Sequence, residues 1–216
     1  MASKLTALPM VLGASWLGLY WASRQTLGSE PLKRRRPDWP YTVTPTLFVP
    51  GWGGNAWTYN RLLRWLARQG MGHQVLTICV DRHGGLRVKG HWPNTASNPL
   101  IQVLFDHPFT ADYQQQITWI TSILRYLKSH DQVTTYNLVA HSWGGSAAVS
   151  SLFLHGGAAD MPQLNRMVLL GAPVDEHDRT HPVDAAFQRL QAVRADLGNP
   201  SVPAPSTTSM GRSQDG

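Results

Sequence analysis

Residues 137–154 constrain this chain more than any other stretch. Asn137-Leu138-Val139-Ala140 is an apolar run that ends at His141-Ser142-Trp143-Gly144-Gly145, and small and apolar residues continue to Leu154. A strand that turns at once into a helix needs small residues where the two backbones nearly touch. Ala140 and Gly144 supply them. The layout is that of a nucleophile elbow, G-x-S-x-G, with Ala140 in place of the first glycine. Such a turn lifts the serine hydroxyl clear of the sheet, so Ser142 is the candidate nucleophile. The plain alternative is an ordinary strand-turn-helix with a buried serine.

Other apolar runs of strand length surround this one. Thr46 to Val49 leads into Pro50-Gly51-Trp52-Gly53-Gly54-Asn55, and Asn55 is a candidate N-cap for a following helix. Tyr59, Leu62, Leu63 and Leu66 share one face of that helix, which Gly70 ends. Gln74 to Val80, Pro99 to Phe105 and Arg166 to Gly171 read as further strands, and residues 82–98 as a hairpin or an excursion loop. Tyr113, Ile117, Ile120, Leu124 and Leu127 recur at helical spacing within 112–129, a core-facing stripe. Strand and helix alternate, which predicts an α/β fold with a mainly parallel sheet covered on both faces. The ligand site then lies at the C-terminal strand ends, where Gly51 to Gly54, Ser142 and Ala172-Pro173 should converge.

With 216 residues the chain has room for one domain of ordinary size. Cys79 is the sole cysteine, so no internal disulfide is possible, and its apolar strand marks it as a core thiol. The net charge is +6, and part of it is the block Lys33-Arg34-Arg35-Arg36. No nucleic-acid module is visible, and attraction to anionic lipid headgroups is the simpler account. Residues 5–22 carry no charge over 18 positions, and Trp16, Tyr20 and Trp21 cluster toward their C-terminal end, as in a membrane-anchoring helix; Tyr20 and Trp21 are the last two before Ala22. Those two bulky residues also stand where a signal-peptide cleavage site needs small ones, so an uncleaved anchor is favoured over a cleaved signal. The expected organisation is an anchor or signal segment at 1–23, a basic, Pro-containing linker at 24–43, the α/β domain at 44–197 and a disordered tail at 198–216.

An acyl-transfer serine needs a base, a group that orients the base and donors for the oxyanion. The backbone N–H of Trp143 follows the serine, and that of Trp52 lies in the glycine-rich loop; these two are the oxyanion candidates. A phosphate-binding loop is excluded there because no Gly-Lys-Ser/Thr follows. His141 adjoins Ser142, but neighbouring side chains diverge at a tight turn. A triad on this layout takes its acid and then its histidine after the serine. His155, His177 and His181 follow Ser142, as do Asp160, Asp175, Glu176, Asp178 and Asp184. Asp175, His177 and His181 form the nearest candidate acid/base set; a plain polar loop is the alternative, and Glu176, His177, Asp178 and His181 fit a zinc site only loosely.

The segments Thr46 to Gly54, Asn98 to Phe105, Asn137 to Gly145 and Val168 to Pro173, in this order and spacing, resemble the Gram-positive cell-surface hydrolases. These are a serine lipase- and esterase-like branch of the α/β-hydrolase superfamily. The resemblance implies a three-layer α/β sandwich, carboxylic-ester or lipid-ester substrates, no metal or organic cofactor, and an N-terminal segment that tethers the enzyme on the extracellular face. Charge flanking alone points the other way, since more cations follow the apolar run than precede it. The resemblance is preferred because the Lys33–Arg36 block lies well beyond that run.

The chain departs from the family pattern at Pro50, where a histidine is usual, and at Ala140. The family pattern also continues with two more strands that carry the catalytic Asp and His. Nothing in 198–216 resembles them, and a C-terminal truncation is expected. Two rival readings follow: a catalytically impaired scaffold that binds a ligand in the old cleft, and a basic membrane-surface adaptor acting through Lys33 to Arg36.

Overall fold

Apolar β-branched and aromatic residues pair in the strands Thr46–Val49 (β1), His73–Val80 (β2), Leu86–Gly90 (β3), Pro99–Phe105 (β4), Thr135–His141 (β5) and Gln163–Leu170 (β6). Three helices join them, Trp57–Arg68 (α1), Tyr113–His130 (α2) and Trp143–His155 (α3). The structure is a computed structural model that describes residues 18–26, 32, 34–93, 95–110 and 112–173. Most of the expected anchor, and everything from residue 174 onward, lies outside the described residues.

The strands form one sheet in the order β3-β2-β4-β1-β5-β6. All neighbours are parallel except β2 and β3, which pair as an antiparallel hairpin. Side chains alternate across the sheet with period two. Leu47, Val49, Ile101, Leu138 and Ala140 face the larger core beneath α2 and α3. Phe48, Leu100 and Val139 face a smaller one with Tyr59 and Leu63 of α1. This is the three-layer α/β arrangement expected from the sequence. The chain leaves β1 toward one edge of the sheet and leaves β5, its direct neighbour, toward the other. A crevice opens at such a reversal, beyond the C-terminal strand ends.

Local chemistry sets the helix limits. At the N-terminus of α2, Asp112 accepts from the Gln115 N–H at 3.0 Å. Its stripe of Tyr113, Ile117, Ile120, Leu124 and Leu127 is buried, and Trp119 stacks on Phe105 at 5.4 Å. Helix α1 ends in a Schellman arrangement: Gly70 has φ +69°, and the N–H groups of Gly70 and Met71 donate to the carbonyls of Ala67 and Leu66.

Three local expectations differ in detail. The N-cap of α1 is Ala56 rather than Asn55, yet Asn55 Oδ1 still accepts from the Trp57 N–H at 2.9 Å. Leu62 is turned outward, because Tyr59 and Leu63 already fill the contact with the sheet. Cys79 is half-buried, and desolvation pushes its thiol pKa up. Residues expected in the linker are fastened to the domain: Tyr41 donates to the Gly70 carbonyl, the Thr42 N–H to Asn98 Oδ1 at 2.8 Å, and Arg35 to the Ala96 carbonyl.

Two buried polar groups carry predictions. Gln102 is fully buried on the α1 side, where its amide donates to the Ala56 carbonyl at 3.0 Å and to Asn60 Oδ1 at 3.1 Å. Its own carbonyl accepts from Gln74 at 3.2 Å. Gln102→Leu strands part of this network and is expected to cost about 1–3 kcal/mol. In urea the unfolding midpoint falls while the slope stays unchanged.

His73 opens β2. Burial pushes its pKa down, the charge of Arg35 adds to that, and the backbone at Ser97 works the other way. The unfolded chain therefore takes up this proton first. Stability is intact above the unfolded value of roughly 6.5 and falls as pH drops below it toward the folded value. Melting curves between pH 7.5 and 5.5 should show that slope, and His73→Gln should reduce it.

Candidate active site

At the end of β5 the backbone turns at Ser142 with φ 51° and ψ −134°. A non-glycine residue there carries strain of about 1–3 kcal/mol, which the surroundings must hold in place. They do so from both sides. The Ser142 N–H donates to the Leu170 carbonyl of β6 at 2.9 Å. Its carbonyl accepts from the N–H groups of Gly145 at 2.8 Å and Ser146 at 3.3 Å. Its side chain does not cap α3, so the hydroxyl is left for other partners.

The loop after β1 lies directly against this turn. A Cβ on Gly51 would stand 2.7 Å from Ser142 Cβ and 2.9 Å from the His141 carbonyl oxygen. A Cβ on Gly144 would stand 2.1 Å from the Pro50 carbonyl oxygen. Gly53 has φ +69° and donates to the Pro108 carbonyl at 2.7 Å, which ties this loop to the one after β4. The segment after β6 closes the third side. Ser146 Oγ donates to the Pro173 carbonyl at 2.8 Å, and Gly145 meets the Ala172 methyl. Gly51 to Gly54, Ser142 and Ala172-Pro173 thus do converge at the C-terminal strand ends.

The backbone N–H groups of Trp52 and Trp143 have no acceptor among the described residues. Trp143 opens α3, where the first N–H groups have no partner within the helix and the helix dipole favours negative charge. Aromatic rings frame the loops. Trp52 meets Phe109 edge-on at 5.0 Å, and Trp143 meets the buried Tyr113 edge-on at 5.9 Å. Desolvation pushes the Tyr113 pKa up, against the hydrogen-bonding hydroxyls of Ser150 and Ser146.

The candidate bases are not brought to the serine within this region. Asp175, His177 and His181 lie outside the described residues, as do Glu176, Asp178 and Asp184. His155 ends α3, about 18 Å along the helix axis from its start. Asp160 is paired with Arg125 at 2.7 Å. His141 is exposed, with its ring nitrogen Nδ1 beside Gly51, and no described histidine is hydrogen-bonded to Ser142. Among the described residues no cluster of side chains fits a metal ion.

One arrangement escaped the sequence reading. Asp106, just past β4, is clamped between Arg24 and Arg87. Arg24 also donates to the Phe105 carbonyl at 2.7 Å, and the Ala56 N–H donates to the Ser23 carbonyl at 2.9 Å. Ser23 and Arg24 are therefore held between the end of β4 and the start of α1. No local pattern signals a contact between residues 82 positions apart.

Two solved structures share the fold. One is the lin2722 gene product of Listeria innocua, with 25% identity and a TM-score of 0.56, covering 62% of this chain and 53% of that one. The other is the "putative cell surface hydrolase from Lactobacillus plantarum WCFS1", with 18% identity and a TM-score of 0.60, covering 70% of this chain and 62% of that one. This chain thus spans less than two thirds of either relative's length. No curated protein matches it. A family profile described as an alpha/beta hydrolase of unknown function matches residues 36–195, including every strand, the elbow and the loop after β1. The chain belongs to that alpha/beta-hydrolase family, DUF915.

Proposed function

We propose that the chain is a serine hydrolase of carboxylic esters, esterase- or lipase-like, with Ser142 as its nucleophile. The backbone of Ser142 carries the reading: a serine held at φ 51° between a parallel strand and a helix, with its hydroxyl uncommitted to the helix end. Strain of this kind persists where it positions a reacting group. The hydrolase family supports it further, as do the N–H groups of Trp52 and Trp143, which have no acceptor among the described residues.

In the proposed reaction Ser142 Oγ attacks the ester carbonyl and gives its proton to a base. The N–H groups of Trp52 and Trp143 hold the oxyanion of the tetrahedral intermediate. The alcohol leaves with the proton returned by the base, and water then hydrolyses the acyl-enzyme. Asp175, His177 and His181 are the proposed sources of the acid and the base. Residues 5–22 are proposed to tether the enzyme to a membrane on the extracellular side, in keeping with the name of the Lactobacillus relative. Among the described residues no helix is long and apolar enough to cross a membrane.

The test is a fluorophosphonate probe on the folded full chain. An activated serine displaces fluoride from phosphorus and keeps the phosphonyl group, and peptide mapping should place that group on Ser142. A folded protein that stays unlabelled would leave the elbow without a working base. The chain would then fit the other reading, a scaffold that binds its ligand without turning it over.

A further inference from the structure

The outer face of α1 is chemically unlike the rest of the molecule. Tyr59 and Leu63 turn inward, while Trp57, Arg61, Arg64, Trp65 and Arg68 are exposed. Their spacing places them on one stripe of the helix. The helix WTYNRLLRWLAR holds three arginines and no carboxylate. A groove of about 790 Å³ runs between this stripe and residues 22–26, and none of its described lining is acidic. Beside it, Leu19, Tyr20 and Trp21 are each more than half exposed. The contacts of Ser23 with Ala56 and of Arg24 with Phe105 and Asp106 fix that segment against the start of α1. Ala22, the last residue of the uncharged run at 5–22, therefore lines the groove beside the stripe.

We propose that the outer face of α1 lies flat on an anionic lipid bilayer. The reading rests on charge and ring placement and not on the chemistry of Ser142. Guanidinium groups suit lipid phosphates, each near-surface cation contributing about 1 kcal/mol, and indole rings settle at headgroup depth. A helix with arginines and tryptophans along one face lies in the interface plane. The stripe extends about 16 Å along the helix, which is longer than one bound phosphate needs. Trp52 and Phe109 at the mouth of the crevice are exposed as well, and Trp52 stands on the loop that leads into α1. Docking by this face turns that loop toward the lipid.

Arginine footprinting with phenylglyoxal tests this on the wild-type full chain. The chain is held in nonionic detergent, in phosphatidylcholine vesicles, or in vesicles that also contain phosphatidylglycerol. Mass spectrometry follows modification of Arg61, Arg64 and Arg68, with Arg125 on α2 as the internal reference. About fivefold or greater protection of the α1 arginines, confined to the anionic vesicles and absent at Arg125, is the expected result. Equal rates in all three conditions overturn the proposal. Protection already present in detergent shows that the protein itself covers the stripe, and overturns it too. A fourth sample adds inorganic phosphate to the detergent, and the same protection there points to a site for free anions and rejects the bilayer. Protection that includes Arg125 reports non-specific adsorption and also counts against it.

Discussion

Ser142→Ala is expected to reduce ester hydrolysis roughly 10⁴- to 10⁶-fold in kcat while leaving the fold intact. The substitution removes one oxygen that caps nothing and pairs with nothing among the described residues, so little packing is lost. Alanine keeps a Cβ where Gly51 already fits against the serine Cβ. The hydrogen bonds that hold the turn come from the backbone and survive. Residual activity above the uncatalysed rate should remain if Trp52 and Trp143 form the oxyanion site, because those donors do not depend on the hydroxyl. His177→Ala and His181→Ala complete the comparison. Groups acting as a unit are far from additive, so the histidine that serves as base should cost nearly as much alone as together with Ser142→Ala. Turnover of a short-chain ester by the purified variants, checked by circular dichroism, gives the answer. Unchanged turnover in Ser142→Ala would remove the serine from the chemistry.

The features that carry this prediction differ in how far they could be read from the chain alone. The elbow was legible because three local requirements coincide: an apolar strand, small residues at Ala140 and Gly144, and a small-residue helix. β1 and β4 fall on the residues expected, since short apolar runs bounded by turn residues leave little choice of register. α2 was legible from its stripe alone. β3 was not fixed, because Leu86-Arg-Val-Lys-Gly is largely exposed and gains its strand only by pairing with β2. Strand order was equally hidden: β4 enters between β2 and β1, a choice made by packing and not by local sequence. The clamp of Arg24 and Arg87 on Asp106 belongs to the same class, as do the ties of residues 34–42 to the domain. Sequence separation erases such contacts from any local pattern. The arginines and tryptophans of α1 were not read from the chain at all, and they form a surface only once the fold brings residues 22–26 beside them.

Gly144→Ala is expected to give the largest loss of stability among single-methyl additions at the elbow. Its Cβ would lie 2.1 Å from the Pro50 carbonyl oxygen, 2.9 Å from the Pro50 carbonyl carbon and 3.1 Å from Val49 Cγ1. The two nearest atoms are backbone, so no side chain can swing aside. Val49 is locked in register with Ala140, and β1 is held between β4 and β5, which leaves the strand side nowhere to move. The helix side is no freer, because Gly145 already abuts Ala172 and the Ser146 hydroxyl is tied to Pro173. Overpacking costs typically 1–3 kcal/mol, and a clash with fixed backbone on both sides belongs at about the upper figure. For a domain of this size that lowers Tm by roughly 6–12 °C. Gly157→Ala is the matched control, since a Cβ there meets nothing within 4 Å. It should change stability by less than about 0.5 kcal/mol. Thermal melts of the two variants separate a steric demand from a general cost of replacing glycine. If Gly144→Ala melts with the wild type, helix and strand do not approach as closely as the elbow requires, and the strained serine loses the frame that holds it.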